Sequence, residues 1–114
     1  MRSQSAKAKG RKLQQWTRDQ IRKVFNLADD DVTSRSMGAS GTDVLLSPKA
    51  KEFIPASIEC KNQQSLNVWK SWEQAVMNVQ PGTFPLLIIK RNNTIPLAVI
   101  SAELLLNMMA EKAS

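Results

Sequence analysis

The feature that most constrains the fold is an unbroken apolar run at residues 84–89, Phe-Pro-Leu-Leu-Ile-Ile. A strand without alternating polar residues is typical of the inside of a sheet, where both of its faces are covered. Apolar residues at helical spacing occur before and after this run. The complete pattern predicts helices near residues 13–25, 68–79 and 102–111 and strands near residues 32–35, 44–46, 53–61, 84–89 and 95–100. We therefore expect an α/β fold in the order α-β-β-β-α-β-β-α, with a mixed five-stranded sheet flanked by helices.

Local signals set the expected boundaries of these elements. Residues 1–10 are polar, small and basic, which predicts a flexible N-terminal tail followed by one domain over residues 11–114, beginning with a helix of about 14 residues. Pro48 indicates a turn, and Pro55 predicts that the third strand starts late or is bulged. Either Ser65 or Asn67 can cap the second helix, and Ser101 can cap the last one.

The residue types that are missing exclude several classes of active site. The chain has no histidine and a single cysteine, Cys60. It therefore cannot form a Ser-His-Asp or Cys-His catalytic site, an ordinary structural zinc site or an internal disulfide. No apolar run approaches the roughly 18 residues that a membrane span needs, and the basic N-terminus lacks the apolar stretch of a signal peptide. We expect no membrane association, and any hydrolysis must use carboxylates, lysine or a metal ion.

Positive charge is concentrated in the first quarter of the chain. The formal charge is +6, from 16 Lys and Arg against 10 Asp and Glu. Residues 1–25 contain eight of the cations and one anion, Asp19, which is a local charge of +7; the remaining eight cations and nine anions give −1. Such a cluster is typical of a surface that binds a phosphate-rich partner. The alternative is a solvated helix face preceded by a frayed tail.

Two acidic residues and a lysine fall on neighbouring predicted strands. Because side chains alternate along a strand, Glu59 and Lys61 face the same side, roughly 7 Å apart, whereas Cys60 faces the packed side as a small buried hydrophobe. Asp43 stands at the start of the preceding strand, so pairing of the two strands brings Asp43 and Glu59 together. Two converging carboxylates are the ligands that Mg²⁺ prefers, and a neighbouring ammonium suits phosphodiester hydrolysis. The alternative is an ordinary Glu-x-Lys sequence on a solvated edge strand.

The order of these motifs resembles the PD-(D/E)xK nuclease superfamily and, within it, the archaeal-type Holliday-junction resolvases. Those proteins carry Glu-x-Lys on one strand, an Asp on the preceding strand and an Arg-Ser-x-Gly loop shortly before that Asp. Residues 35–43 here read Arg-Ser-Met-Gly-Ala-Ser-Gly-Thr-Asp. The family begins with Lys-Gly-x-x-x-Glu on its first helix; residues 9–14 here read Lys-Gly-Arg-Lys-Leu-Gln, which places Gln14 where the acid is expected. The resemblance covers about residues 9–105 and implies a restriction-endonuclease-like fold.

The resemblance also implies the chemistry of the central residues. Asp43 and Glu59 would hold Mg²⁺ or Mn²⁺, with the Cys60 carbonyl as a further ligand. Lys61 would position the attacking water. Because a neutral amide binds a hard cation more weakly than a carboxylate does, glutamine at the position of the family's first acid implies a weaker or differently tuned metal site.

Further residues complete the predicted site and its DNA-binding surface. Helical geometry places Gln14 beside the buried stripe, where it can reach inward. Ser36 stands where resolvases of this type place a serine near the scissile phosphate; an ordinary loop serine is the alternative. The planar guanidinium of Arg35 suits a phosphate. Gln74 lies in a Glu-Gln-Ala stretch similar to one in the resolvases and shares a helix face with Lys70, for which a solvated face is the alternative. The predicted DNA contacts are Lys9, Arg11, Lys12, Arg18, Arg35, Lys70 and Gln74.

Three functions remain open at this stage. The first is a Mg²⁺- or Mn²⁺-dependent endonuclease that cuts branched DNA as a homodimer, in the cytoplasm of a bacterial cell or an infected host, because the small size suits a phage-encoded member. Trp69 and Trp72 would then lie in the core or in the dimer interface, since stacking on bases needs exposure. The second is a structure-specific or nicking nuclease that is not specific for four-way junctions. The third is a non-catalytic nucleic-acid-binding module in which the acidic pair and Lys61 form a structural ion network.

Overall fold

Five strands form one mixed sheet in the computed structural model of the protein, which describes residues 4–35 and 41–114. In chain order, the strands are β1 (Val32–Ser34), β2 (Val44–Leu46), β3 (Ala56–Asn62), β4 (Phe84–Lys90) and β5 (Leu97–Val99). Neighbours in sequence are also neighbours in the sheet; β3 and β4 are parallel, and the other pairs are antiparallel. The predicted α/β fold with a mixed five-stranded sheet is confirmed. The apolar strand β4 lies inside the sheet, between β3 and β5.

Helices flank this sheet. The described helices are α1 (Gln4–Phe25), α2 (Pro48–Phe53), α3 (Val68–Met77) and α4 (Ala102–Ala113), with a short 3-10 helix at Asp29–Asp31. Helices α2, α3 and α4 begin at polar caps. The side chain of Asn67 accepts a hydrogen bond from the Lys70 amide at 3.0 Å, and Ser101 accepts one from the Leu104 amide at 3.3 Å, so the predicted caps of α3 and α4 are confirmed. Within the described parts of the chain, no helix combines the length and the apolar character needed to cross a bilayer.

Helix α1 begins at Gln4 and not near residue 11, so residues 4–10 are helical where the sequence predicts a tail. Residues 6–9 read Ala-Lys-Ala-Lys, and both residue types are strong helix formers. Distant partners also hold this end of the helix. Lys9 Nζ donates to Asn92 Oδ1 at 2.8 Å, and Asn62 Nδ2 donates to the Lys9 carbonyl at 3.1 Å. Polar composition suggested a tail because such long-range contacts leave no mark on the local sequence.

Prolines explain two further differences between predicted and observed boundaries. Pro48 starts α2 instead of marking a simple turn, because proline fits the first position of a helix and Ser47 Oγ accepts a hydrogen bond from the Ala50 amide at 3.1 Å. Strand β3 begins directly after Pro55, as predicted. Strand β5 covers Leu97–Val99 and not the predicted residues 95–100; it begins only after Pro96, because proline has no N–H to donate.

The two faces of β3 have different neighbours. Cys60 faces α1, where its thiol donates to the Thr17 hydroxyl at 3.7 Å. Glu59 faces the other way and accepts a hydrogen bond from Asn78, which directly follows α3. Strand alternation therefore separates an apolar side under α1 from a polar side next to α3. The core cluster that contains Cys60 also includes Leu13, Ile21, Val32, Val44, Ile58 and Ile88.

Candidate metal centre and active site

Asp43 is fixed at the start of β2 by hydrogen bonds to β3. Its amide donates to the Ile58 carbonyl at 2.8 Å, and its Oδ2 accepts from the Cys60 amide at 2.7 Å. The chain enters this position through Gly41, whose φ of +95° is unfavourable for a residue with a side chain. The glycine thus permits the turn that directs the Asp43 carboxylate to the middle of β3.

Glu59 lies against Asp43 and is buried, with 7% of its surface exposed. Its pKa is raised to about 7, mainly because burial penalises the charged form and also because the Asp43 carboxylate is close and shares a hydrogen bond with it. The hydrogen bond from Asn78 Nδ2 to Glu59 Oε1, at 2.9 Å, and the positive charge of Lys61 oppose this rise in the pKa. Asp43 and Glu59 therefore form a coupled acidic pair, which we call the carboxylate pair.

Lys61 is the third member of the predicted group that the structure brings together. It stands two residues after Glu59 on β3, is half-buried, and its charge acts on the Glu59 carboxylate. Because residues at i and i+2 share a face of a strand, the ammonium lies beside the carboxylate pair and not beneath the sheet. The convergence of Asp43, Glu59 and Lys61 that strand pairing predicts is thus present in the structure.

Cys60 contributes its backbone to this centre, while its side chain belongs to the core. The thiol is buried, and burial raises its pKa to about 12. The N–H and C=O of one residue in a strand point to the same side. Because the Cys60 N–H binds Asp43 Oδ2, its carbonyl also points towards the end of β2 where Asp43 lies.

The donors of the carboxylate pair fit a Mg²⁺ or Mn²⁺ ion. Within residues 4–35 and 41–114 no group of three or more His, Cys, Asp or Glu side chains could hold a metal ion. Two carboxylates are nevertheless an ordinary protein contribution to a Mg²⁺ site, because this ion keeps several waters and also binds substrate phosphates. Burial and, after it, the nearby Asp43 charge raise the pKa of Glu59, and a bound cation would offset both effects.

Gln14 points inward from α1, as predicted, and is only 6% exposed. Helix α1 packs on the Cys60 side of β3, however, whereas Glu59 points to the opposite side. Among the described contacts, no hydrogen bond joins Gln14 to Asp43 or Glu59. The participation of Gln14 in the metal site stays a prediction.

The other predicted site residues are more dispersed. Ser36 lies outside the described residues. Arg35 donates from Nε to the Thr42 carbonyl at 2.7 Å and lines a polar cavity of about 150 Å³ together with Lys51 and Ser57. Since Ser57 precedes Glu59 by two residues, this cavity opens on the same side of β3 as the carboxylate pair.

On the helices, the predicted DNA contacts are solvent-accessible to different degrees. Arg11 and Lys12 are exposed on α1, whereas Arg18 pairs with Asp19 at 2.9 Å. Lys70 and Gln74 are exposed on α3, and no described contact links their side chains to the carboxylate pair. The solvated-face alternative therefore describes Lys70 and Gln74 as they stand in the structure.

The two tryptophans of α3 are more exposed than residues of the core would be. Trp69 is 78% exposed, so it is not a core residue, and Trp72 is half-buried. For Trp69, the interface alternative and the base-stacking alternative are the ones that its exposure allows.

Sequence reasoning missed Asn78, which supports Glu59, and it missed the neighbours of Lys9. Asn78 follows the last residue of α3, where an asparagine normally indicates the end of a helix. Lys90 and Asn92 come close to Lys9 through the parallel pairing of β3 and β4, which no local sequence pattern predicts.

Comparison of the chain with protein-family models, with curated proteins and with solved structures found no match.

Proposed function

We propose that this protein is a metal-dependent endonuclease that hydrolyses phosphodiesters in branched DNA, similar in its site to the archaeal-type Holliday-junction resolvases of the PD-(D/E)xK superfamily. The observation that carries the proposal is the carboxylate pair with Lys61 beside it. Holding the buried Glu59 beside the half-buried Asp43 is costly in the absence of a cation, and pairs of this kind concentrate at functional sites.

A hydrogen bond orients each carboxylate of the pair. The backbone amide of Cys60 donates to Asp43, and the side-chain amide of Asn78 donates to Glu59. Both carboxylates can therefore bind one Mg²⁺ or Mn²⁺ ion, with the Cys60 carbonyl as a further ligand. When bound, the ion supplies positive charge that stabilises the negative charge developing on the phosphoryl group. Lys61 orients the attacking water or neutralises charge as the bond breaks.

Positively charged side chains supply the contacts to the phosphates of the DNA backbone. Eight cations lie within residues 1–25, and the exposed side chains of Arg11 and Lys12 belong to this set. Arg35 and Lys51 add positive charge on the Glu59 side of β3. Contacts to phosphates are independent of sequence and weaken with salt, which suits recognition of a DNA shape. Such a substrate places the protein in the cytoplasm of a bacterial cell or an infected host.

A homodimer is part of the proposal because two symmetric strands require two sites. Helix α4 has no buried residue, and large apolar side chains on it face solvent: Leu105 is 38% exposed, Leu106 64% and Met109 57%. The adjacent edge strand β5 adds Leu97, which is 56% exposed. We assign this surface, defined by β5 and α4, to the contact with a second copy of the chain.

The test is cleavage of a synthetic four-way junction beside a linear duplex, with and without Mg²⁺. Asp43→Asn and Glu59→Gln remove the charges of the pair, so they should abolish cutting while DNA binding persists. Asp30→Asn and Glu52→Gln change exposed acids in the same way and should cut like the wild type. If Asp43→Asn and Glu59→Gln both cut normally, the assigned site is wrong. Cutting of flaps or duplex alone favours a nicking or structure-specific nuclease, and binding without any Mg²⁺-dependent cutting favours a non-catalytic module.

A further inference from the structure

A second candidate site lies at the carboxyl ends of the parallel strands β3 and β4, on the α1 side of the sheet. It is a cavity of about 640 Å³, whose lining includes Lys9, Lys12, Trp16, Asn62, Lys90 and Asn92. We call it the lysine groove. Its volume falls within the roughly 300–1,000 Å³ that ligand sites occupy, and the carboxyl ends of strands are where open α/β sheets usually bind ligands.

The groove is built by contacts between distant parts of the chain. Asn62 and Lys90 are register partners in the parallel pair β3–β4. Asn62 Nδ2 donates to the Lys9 carbonyl at 3.1 Å, which ties the end of β3 to α1. Lys9 Nζ donates to Asn92 Oδ1 at 2.8 Å, which ties α1 to the turn after β4. Its walls thus come from a helix, two strand ends and a turn.

The positive charge of the lysine groove has no described counter-charge. The ion pairs within the described residues join Arg18 and Arg22 to Asp19 and Asp29, away from the groove. Lys9 donates to an amide oxygen, and Lys90 Nζ donates to the Arg91 carbonyl at 3.1 Å. Because its lining contains three lysines and no acidic residue, the groove favours an anionic ligand.

Trp16 indicates the kind of anion. Its side chain lines the groove, and the residue is 42% exposed on a helix whose neighbouring apolar residue Leu13 is 2% exposed. An accessible indole beside cationic side chains is the combination that single-stranded nucleic acids use, since a base stacks on the ring and its phosphates meet the lysines. Bases in a duplex already stack on one another and cannot use such a ring.

We propose that the lysine groove binds unpaired nucleotides of a DNA strand, with a base on Trp16 and phosphates on Lys9, Lys12 and Lys90. The groove and the carboxylate pair lie on opposite faces of β3, so a strand held in the groove reaches the pair around the carboxyl end of β3, where Lys61 and Asn62 are adjacent. The step from binding to cleavage rests on the proposed nuclease function: the preferred substrate carries a single-stranded arm at its branch point. Binding of the unpaired strand does not depend on that function.

Fluorescence anisotropy with a labelled oligothymidylate and a blunt duplex of equal length tests this assignment, with the full chain and without divalent metal. Trp16→Leu should weaken binding of the oligothymidylate about tenfold, because stacking on the ring is lost, and should change duplex binding by less than about twofold. Lys12→Ala and Lys90→Ala should each weaken single-strand binding severalfold and reduce its salt slope by about 0.7. Trp69→Leu and Lys49→Ala remove an exposed tryptophan and an exposed lysine outside the groove, and should bind like the wild type.

Two outcomes overturn the assignment: unchanged single-strand binding in Trp16→Leu and Lys90→Ala, or equal losses for single strand and duplex in these two variants. Lys90 is not part of the proposed duplex contacts and is only half-buried, so Lys90→Ala keeps the test decisive if Trp16→Leu fails to fold. Mg²⁺-dependent cutting of a flap and of a fully paired junction separates this proposal from the nuclease function. If Asp43→Asn abolishes cutting while the groove variants behave like the wild type, the nuclease function is supported and the groove assignment is wrong. Selective single-strand binding without any cutting supports the groove and contradicts the nuclease.

Discussion

Asp43 and Glu59 are single residues of like charge that the fold keeps side by side. Each is held by a neutral donor, the Cys60 amide for Asp43 and the Asn78 side chain for Glu59. Holding both carboxylates ionised in a largely buried place raises the free energy of the metal-free protein, and a bound cation removes that penalty. The free energy of unfolding of the metal-free protein should therefore depend on the ionisation of the carboxylate pair.

The pH dependence of stability is the first expected consequence. The folded-state pKa of Glu59 is about 7, against 4.5 for the unconstrained side chain. Between these values the folded state binds more protons than the unfolded state, so in the presence of a chelator the free energy of unfolding should fall as pH rises through this range, by at most about 1.4 kcal/mol per pH unit. Urea titrations at several pH values measure the slope. Glu59→Gln should flatten it, and an unchanged slope in that variant would contradict the pKa.

The thiol of Cys60 gives a second test at this scale. Burial raises its pKa to about 12, with the nearby Asp43 and Glu59 charges acting in the same direction. The thiolate is the reactive form, so iodoacetamide at neutral pH should leave the native protein unmodified and label it rapidly in urea. Mass spectrometry measures both rates. Fast labelling of the native protein would show that Cys60 is accessible and that α1 does not cover this part of β3.

The central residues could be predicted from the sequence because they depend on one local rule. Side chains alternate along a strand, which places Glu59 and Lys61 together, and pairing with the preceding strand brings Asp43 to them. Asn78 could not be predicted in the same way, since its contact with Glu59 spans 19 residues and requires the end of α3 to lie over β3.

At the scale of elements, the turn before β2 determines where Asp43 lies. Gly41 and Gly82 both have positive φ, +95° and +76°, but a Cβ on Gly41 would lie 3.3 Å from Arg35 Nη2, whereas nothing lies within 4 Å at Gly82. Alanine at either position should cost about 1–3 kcal/mol of unfolding free energy through backbone strain.

These glycines form a matched pair for the function of the turn. Gly41→Ala should also reduce Mg²⁺-dependent cutting, because the strain lies two residues before Asp43, and Gly82→Ala should not. Chemical denaturation and cleavage assays on the two variants measure both effects. Equal cleavage by the two variants would mean that the turn does not position the carboxylate.

The boundaries of elements were predictable where a local chemical group determines them. Asn67 and Ser101 cap their helices as expected, and Pro55 delays β3 as expected. The start of α1 was not predictable, because the first turns are stabilised by Lys9 reaching Asn92 across 83 residues of sequence. Pro48 is compatible with a turn and with the first position of a helix, and only the bond from the Ala50 amide to Ser47 Oγ selects the helix.

At the scale of the whole molecule, the apolar surface of β5 and α4 predicts self-association. Leu106 on α4 is 64% exposed, and Val24 on α1 is 70% exposed, so the two serve as a matched pair. Leu106→Lys should convert a dimer to a monomer, since a buried unpaired charge disrupts an interface, whereas Val24→Lys should remain dimeric. Analytical ultracentrifugation measures this difference. A monomeric wild type at micromolar concentration would contradict the proposed dimer.

Binding of Mn²⁺ tests the central claim most directly. Electron paramagnetic resonance measures the ion held by the protein together with a four-way junction whose phosphodiesters resist cleavage. The wild type and Asp30→Asn should bind Mn²⁺ alike, and Asp43→Asn and Glu59→Gln should each lose most of that binding while they still bind the DNA. Equal Mn²⁺ binding by Asp43→Asn and the wild type would show that the carboxylate pair is not a metal centre.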